Sequence, residues 1–216
     1  MKIMKKNSDI KLYLTVLYAV AIVASNLVGG KEIALPYGFI GTAGNIVFPI
    51  TYILSDIFSE VYGYKWSRIS CTVGFLSSLF VTIVTSIAVA EPPSAGWTMQ
   101  EAFQTVYAYS PRVLLGSFTA FMLGDWVNDM VFRKMKEKHI DSMKGFGLRA
   151  ILSSIFGEII DSLAFCVIVF GIHNIHDLAS VFSFTLLAKL VWEIICLPIT
   201  KKIVGIVYNH ENAIVA

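Results

Sequence analysis

The sequence predicts an all-α, polytopic membrane protein with six transmembrane helices around a polar central cavity, on three observations. First, its 216 residues are 56% hydrophobic and only 15% charged. A soluble domain would be about half apolar and about a quarter charged, so the excess apolar surface has to face lipid. Second, the apolar residues gather into six segments, roughly 12–28, 46–62, 69–90, 113–132, 148–171 and 178–198. Each is near the ~20 residues that a helix needs to cross the hydrocarbon core. Third, of 17 Lys and Arg residues, only Lys31 and Arg112 fall on the side opposite the termini, and Lys189 lies inside a segment. The positive-inside rule then places both termini in the cytoplasm. One transmembrane domain over residues 1–216 is expected, in the bacterial cytoplasmic (inner) membrane.

The first span, Leu12–Val28, follows a Lys-rich start and carries Ser25 and Asn26 near its outer end. Its apolar run is long for a signal peptide, so retention is expected. The glycine-rich stretch 29–45 is too polar and broken to cross. It is expected as a loop, or as a re-entrant lid received by protein or a cavity. The second span, within FPITYILSDIFSEVYGY (Phe48–Tyr64), sets Asp56 and Glu60 one turn apart. The third, Ile69–Ala90, is apolar throughout apart from small hydroxyls. In the long outer loop, the amphipathic stretch Trp97–Tyr109 predicts a helix lying at the headgroup level. The fourth span carries Asp125, Asn128 and Asp129, the fifth Glu158 and Asp161, and the sixth Lys189 and Glu193.

These polar residues recur at three- or four-residue spacing, so each group forms a stripe on its helix. A charge near the bilayer centre costs about 2.5–3.5 kcal/mol or more, so the stripes are expected to face one shared interior. Some have local alternatives: Glu60 with Lys65 and Arg68 at the interface, Asp129 with Arg133, and Glu193 with Lys189. Asp56, Asp125 and Asp161 have no such neighbour and are assigned to the cavity. Lys189 needs a carboxylate across the bundle, from Asp161, Glu158 or Asp56.

The chemistry is that of binding. No protease signature and no phosphate-cradling glycine loop is present, so the chain is not expected to be an enzyme. Cys71, Cys166 and Cys196 lie in apolar runs and suggest neither disulfides nor a metal site. Neither a cofactor nor a nucleic-acid partner is expected. Carboxylates accept paired N–H donors, and Phe48, Tyr52, Trp126, Phe165 and Trp192 offer flat faces. A small planar ligand with several donors suits such a cavity.

The second-span motif, Ser25-Asn26, the run FGEIIDSLAF (Phe156–Phe165) and the Lys of span six followed by Pro198 together resemble the queuosine precursor transporter family, also called the vitamin uptake transporter family. The likeness covers nearly the whole chain. It implies six spans and import of a 7-deazaguanine: 7-cyano-7-deazaguanine, 7-aminomethyl-7-deazaguanine or queuine. Asp56, Asp161 and Lys189 match the motif positions most directly, with Asp125 and Asn128 in a looser polar region. By this resemblance Asp161 or Glu158 grips the guanidine-like edge and Asn26 or Asn128 bonds the ring carbonyl. Asp56 and Lys189 form a charge pair that changes partners, while Glu60, Asp129 and Glu193 serve gating or pairing. The alternative is a substrate-binding subunit of an energy-coupling-factor transporter, against which the spacing of Ala19, Ala21 and Ala24 counts. A homodimer is the expected assembly, two-fold symmetry being the commonest.

Overall fold

The structure, a computed structural model, describes residues 9–34, 40–138, 143–171 and 175–215. Its architecture is all-α and polytopic. Helix α1 (Asp9–Val28) leads into a short antiparallel hairpin, β1 (Glu32–Ala34) with β2 (Ile40–Thr42), in the register Ile33 opposite Gly41. A tight 3₁₀ turn (Ala43–Ile46) follows, then α2 (Phe48–Ile57) and a wider π-type turn (Phe58–Tyr62). The remaining helices are α3 (Tyr64–Ala90), α4 (Gln100–Tyr107), α5 (Ser110–Lys138), α6 (Met143–Phe170) and α7 (Ile175–Val215). Three stretches, Asp9–Val28, Lys65–Ala90 and Leu152–Phe170, are long and apolar enough on their own to cross a membrane.

Local chemistry explains the boundaries. Pro49 stands in the first turn of α2, where its missing N–H is no loss. Gly63 ends the π-type turn at φ +85°, a backbone conformation that glycine enters without a Cβ penalty. α4 has no buried residue and falls inside the amphipathic stretch that the sequence marks. α7 continues through Pro198 for 41 residues, about 60 Å at ~1.5 Å per residue. That is twice the hydrocarbon thickness of ~30 Å. The sequence ends this span at Pro198, but the helix goes on because its last turns are anchored: Val207 and Glu211 are both buried.

Two apolar clusters hold the bundle. Tyr18, Leu54, Ile57, Phe58, Val61, Tyr62, Cys71 and Val207 tie α1, α2, α3 and α7. Val113, Ala120, Phe165, Cys166, Val169 and Val181 tie α5, α6 and α7. Lipid is as apolar as these side chains, so close packing and hydrogen bonds across helices provide the cohesion. Glycines make the packing close. A Cβ on Gly124 would lie 2.9 Å from Gly157 O, and one on Gly157 would lie 2.9 Å from Gly124 O, where α5 crosses α6. On α5 the outer stripe Leu115, Phe118, Met122 and Trp126 is exposed, the apolar face that lipid requires.

Side-chain contacts group the ends of the helices. Tyr62 donates to Glu211, and the Lys11 ammonium lies 3.4 Å from the centroid of the Trp66 ring. The start of α1, the α2–α3 turn and the end of α7 therefore share one end. At the other end Tyr109 donates to Val169 O and Arg112 Nε to Ile168 O at 2.7 Å.

Candidate functional site

Inside the bundle is a cavity of about 210 Å³. Its wall comes from α1 (Tyr18, Ser25, Asn26), the 3₁₀ turn (Asn45), α2 (Thr51, Ser55), α3 (Phe75), α5 (Ser117, Phe121), α6 (Glu158, Asp161, Phe165) and α7 (Thr185, Lys189). The Gly124–Gly157 crossing brings the polar stripe of α6 into the interior; a Cβ on Gly124 would stand 2.8 Å from that of Asp161.

Lys189 is the buried cation of this site, 7% exposed. Its Nζ donates to Asp161 Oδ2 and lies 3.0 Å from Glu158 Oε2. Both carboxylates keep about a quarter of their side-chain surface. A cation in this position loses water, and the two anions compensate it. One positive and two negative groups leave the triad with a formal excess of one acceptor charge facing the cavity. The expected partnership of Lys189 with Asp161 and Glu158 is therefore present in this conformation.

A second cavity, of about 290 Å³, is lined by Asp125, Asn128, Ser154 and Gly157. It shares Ser55, Phe121, Glu158 and Asp161 with the first. Those four residues line both spaces, which adjoin there. Among the described residues, no group of three or more His, Cys, Asp or Glu has a geometry that could hold a metal ion.

Several residues stand elsewhere than the sequence suggests. Asp56 and Glu60 are exposed and line neither cavity, so Asp56 does not pair with Lys189 here. The face of α2 that meets the cavity carries Thr51 and Ser55 instead, about 100° round the helix from Asp56. Small hydroxyls fit a packed interior without a counter-charge, and the remaining inner face is taken by Leu54 and Ile57 of α2 and by Phe58 of the π-type turn. Asp125 does have a charged partner, from a distant part of the sequence: Arg68 Nη2 lies 2.6 Å from its Oδ2. Asn128 belongs to the second cavity only. Asn26 reaches the first, but Nδ2 donates to Ser78 at 3.1 Å and Oδ1 accepts from Ser117 at 2.7 Å. Its carboxamide is thus engaged in tying α1 to α3 and α5. The side chains of Asp129 and Glu193 lie outside those described.

The aromatic expectation is revised as well. Trp126 is 63% exposed and Trp192 is also exposed, while the side chains of Phe48 and Tyr52 lie outside those described. Phe165 does line the cavity, joined by Tyr18, Phe75 and Phe121; the Phe75 and Phe121 rings are 5.5 Å apart. Periodicity cannot distinguish these from packing aromatics, which is why the sequence passes them over. It also passes over Asn45, whose one signal is its place at the end of the stretch marked as a loop or re-entrant lid.

The model of a family described as "Putative vitamin uptake transporter" matches residues 42–203. A Bacillus subtilis (strain 168) protein named "Probable queuosine precursor transporter" is 26% identical over 204 residues, covering 94% of this chain and 88% of the relative. One of the same name from Haemophilus influenzae (strain ATCC 51907 / DSM 11121 / KW20 / Rd) is 23% identical, covering 62% of this chain and 54% of the relative. The "Queuosine precursor transporter" of Escherichia coli (strain K12) is 23% identical, covering 73% and 67%. No solved structure matches. The matched family and relatives are transporters, not enzymes.

Proposed function

The chain belongs to the vitamin uptake transporter family, and on that premise we propose that it imports a queuosine precursor across the bacterial cytoplasmic membrane. The substrate is 7-cyano- or 7-aminomethyl-7-deazaguanine, or queuine. The observation that carries this reading is the Lys189–Asp161–Glu158 triad on the wall of an aromatic-lined cavity. A 7-deazaguanine presents N1–H and the 2-amino group as adjacent donors, and a carboxylate accepts both in one plane. Without substrate, Lys189 holds both anions. With substrate, one of them, Asp161 or Glu158, turns to the guanidine-like edge while Lys189 keeps the other neutralised. Phe165 and Phe121 supply flat faces for the ring.

In this reading the chain is one domain of six spans, with α2 and its π-type turn as the second, and both termini are cytoplasmic. The first cavity is then the outer one, since Asn26 and Ser117 lie in the outer halves of their helices. The second is the inner one, and the shared lining of Ser55, Phe121, Glu158 and Asp161 is where access switches. Asp125 with Arg68 flanks the inner exit. The alternative, a substrate-binding subunit that docks onto separate ATPase subunits, is weakened by the burial of Ala19 and Ala21 inside the bundle, where they offer no outer docking face.

The test is uptake of labelled 7-aminomethyl-7-deazaguanine, 7-cyano-7-deazaguanine and queuine into proteoliposomes holding this protein alone. Uptake of one of them, abolished by Asp161→Asn in protein that still inserts, is the expected result. Tight binding without uptake would favour the docking subunit, and normal uptake by Asp161→Asn would remove the triad from the mechanism.

A further inference from the structure

Asn45 stands out on the cavity wall. It is 8% exposed, and neither Nδ2 nor Oδ1 has a hydrogen-bond partner among the described residues. A buried carboxamide with nothing to bond destabilises the fold that contains it, so its retention at a cavity wall points to a partner that arrives from outside. The backbone around it is firmly placed. A Cβ on Gly44 would lie 3.3 Å from Gly29 Cα and 3.2 Å from Ser25 O, and Ser25 Oγ lies 3.4 Å from Gly44 O. Val47 N donates to Gly44 O at 3.0 Å, and Ala43 N to Lys31 O at 2.9 Å. The 3₁₀ turn is thus pressed onto the end of α1, and Asn45 is presented by rigid backbone.

The triad and Asn45 differ in what they can read. Ionised carboxylates only accept, so Asp161 and Glu158 suit an edge with two donors. A carboxamide donates and accepts side by side, so Asn45 suits an edge with one acceptor next to one donor. On a 7-deazaguanine whose N1–H and 2-amino group are held by a carboxylate, position 7 is carbon. The remaining adjacent acceptor and donor on the ring are N3 and N9–H. We propose that Asn45 is a substrate-reading residue that pairs with this edge, Nδ2–H to N3 and N9–H to Oδ1, and so selects free bases over N9-substituted forms such as nucleosides. This rests on the substrate class proposed above.

The test uses full-length protein purified in detergent, with 7-cyano-7-deazaguanine and its 9-methyl derivative as probes, and wild type, Asn45→Leu and Asn45→Asp as proteins. Wild type should bind the free base roughly tenfold or more tighter than the 9-methyl derivative. Asn45→Leu should lose about as much affinity for the free base and most of the discrimination, a coupling that a purely structural residue does not produce. Its ligand-free Tm should equal or exceed that of wild type, because an unpaired buried carboxamide has been removed. Asn45→Asp, which keeps the shape but turns the donor into an acceptor and adds a third carboxyl group to the wall, should also bind more weakly, and it carries the test should Asn45→Leu not fold. Unchanged affinity and discrimination in either folded variant would overturn the role of Asn45 alone. So would a ligand-free Tm that falls in Asn45→Leu while discrimination persists. Failure of wild type to bind the free base would overturn the substrate reading first, and the pairing with it.

Discussion

Tyr62 donates a 2.8 Å hydrogen bond to Glu211 Oε1, joining the turn after α2 to the end of α7 across 149 residues of sequence. Both groups are buried, Glu211 to 2% exposure. This contact closes the end of the bundle where the start of α1 and the end of α7 lie, and Tyr62 also belongs to the apolar cluster that Val207 completes. Tyr62→Phe removes a charge-assisted bond of about 1.5–3 kcal/mol with little change in volume. We expect a clear fall in Tm in detergent. A chain ending at Gly205 should fall further, since Val207 is lost as well; equal Tm values for all three proteins would show that the contact contributes nothing.

Lys189 compensates two carboxylates. Lys189→Met leaves Glu158 and Asp161 facing each other without a cation, at a cost of about 3–5 kcal/mol for an unpaired buried charge. Adding Asp161→Asn should recover part of that stability, while transport stays absent in both. The measurement is a double-mutant cycle of Tm values beside proteoliposome uptake. Additive losses would argue against the pairing.

The α5–α6 crossing depends on glycine. Gly124→Ala puts a methyl group 2.8 Å from Asp161 Cβ and 2.9 Å from Gly157 O. Backbone cannot yield as a flexible side chain would, so the helices must separate and carry Asp161 with them. Lower Tm together with weaker substrate binding is expected. Gly96→Ala, with nothing within 4 Å of the new methyl, is the control and should leave both unchanged.

Arg68 and Asp125 are each about a third exposed on their side chains. A pair with that access to solvent contributes on the order of 0.2–1 kcal/mol. Arg68→Ala should therefore lower Tm only slightly. If the pair flanks the inner exit, the same variant should change the transport rate more than the affinity. An unchanged rate would reduce the pair to a surface bridge.

Exposure separates the aromatics. Trp126→Ala should leave binding intact, because its ring lies on the outer stripe of α5. Phe165→Ala should weaken binding, because its ring lies on the cavity wall. The reverse order of effects, read by calorimetry on the two variants, would move the ligand out of the cavity described here.

What the sequence by itself determined was the material, an apolar chain of membrane-length helices. Apolar composition, segment length and the placement of Lys and Arg follow from the cost of burying charge in lipid, and that cost acts on each segment separately. The all-α architecture, the amphipathic helix between α3 and α5 and the need of Lys189 for a carboxylate from Asp161, Glu158 or Asp56 were legible on that basis. The family resemblance was legible too, because its motifs are local. Only the tertiary structure decided how each helix turns about its own axis. Periodicity puts Asp56 with Glu60 and Thr51 with Ser55 on two stripes of the second segment, but the neighbours choose which stripe faces in. It was likewise packing, through Gly29, Gly44 and Ser25, that carried Asn45 from a loop to the cavity wall. Arg68 met Asp125, and Tyr62 met Glu211, for the same reason: contacts between distant segments follow from how close two surfaces can come, and no single segment contains that information.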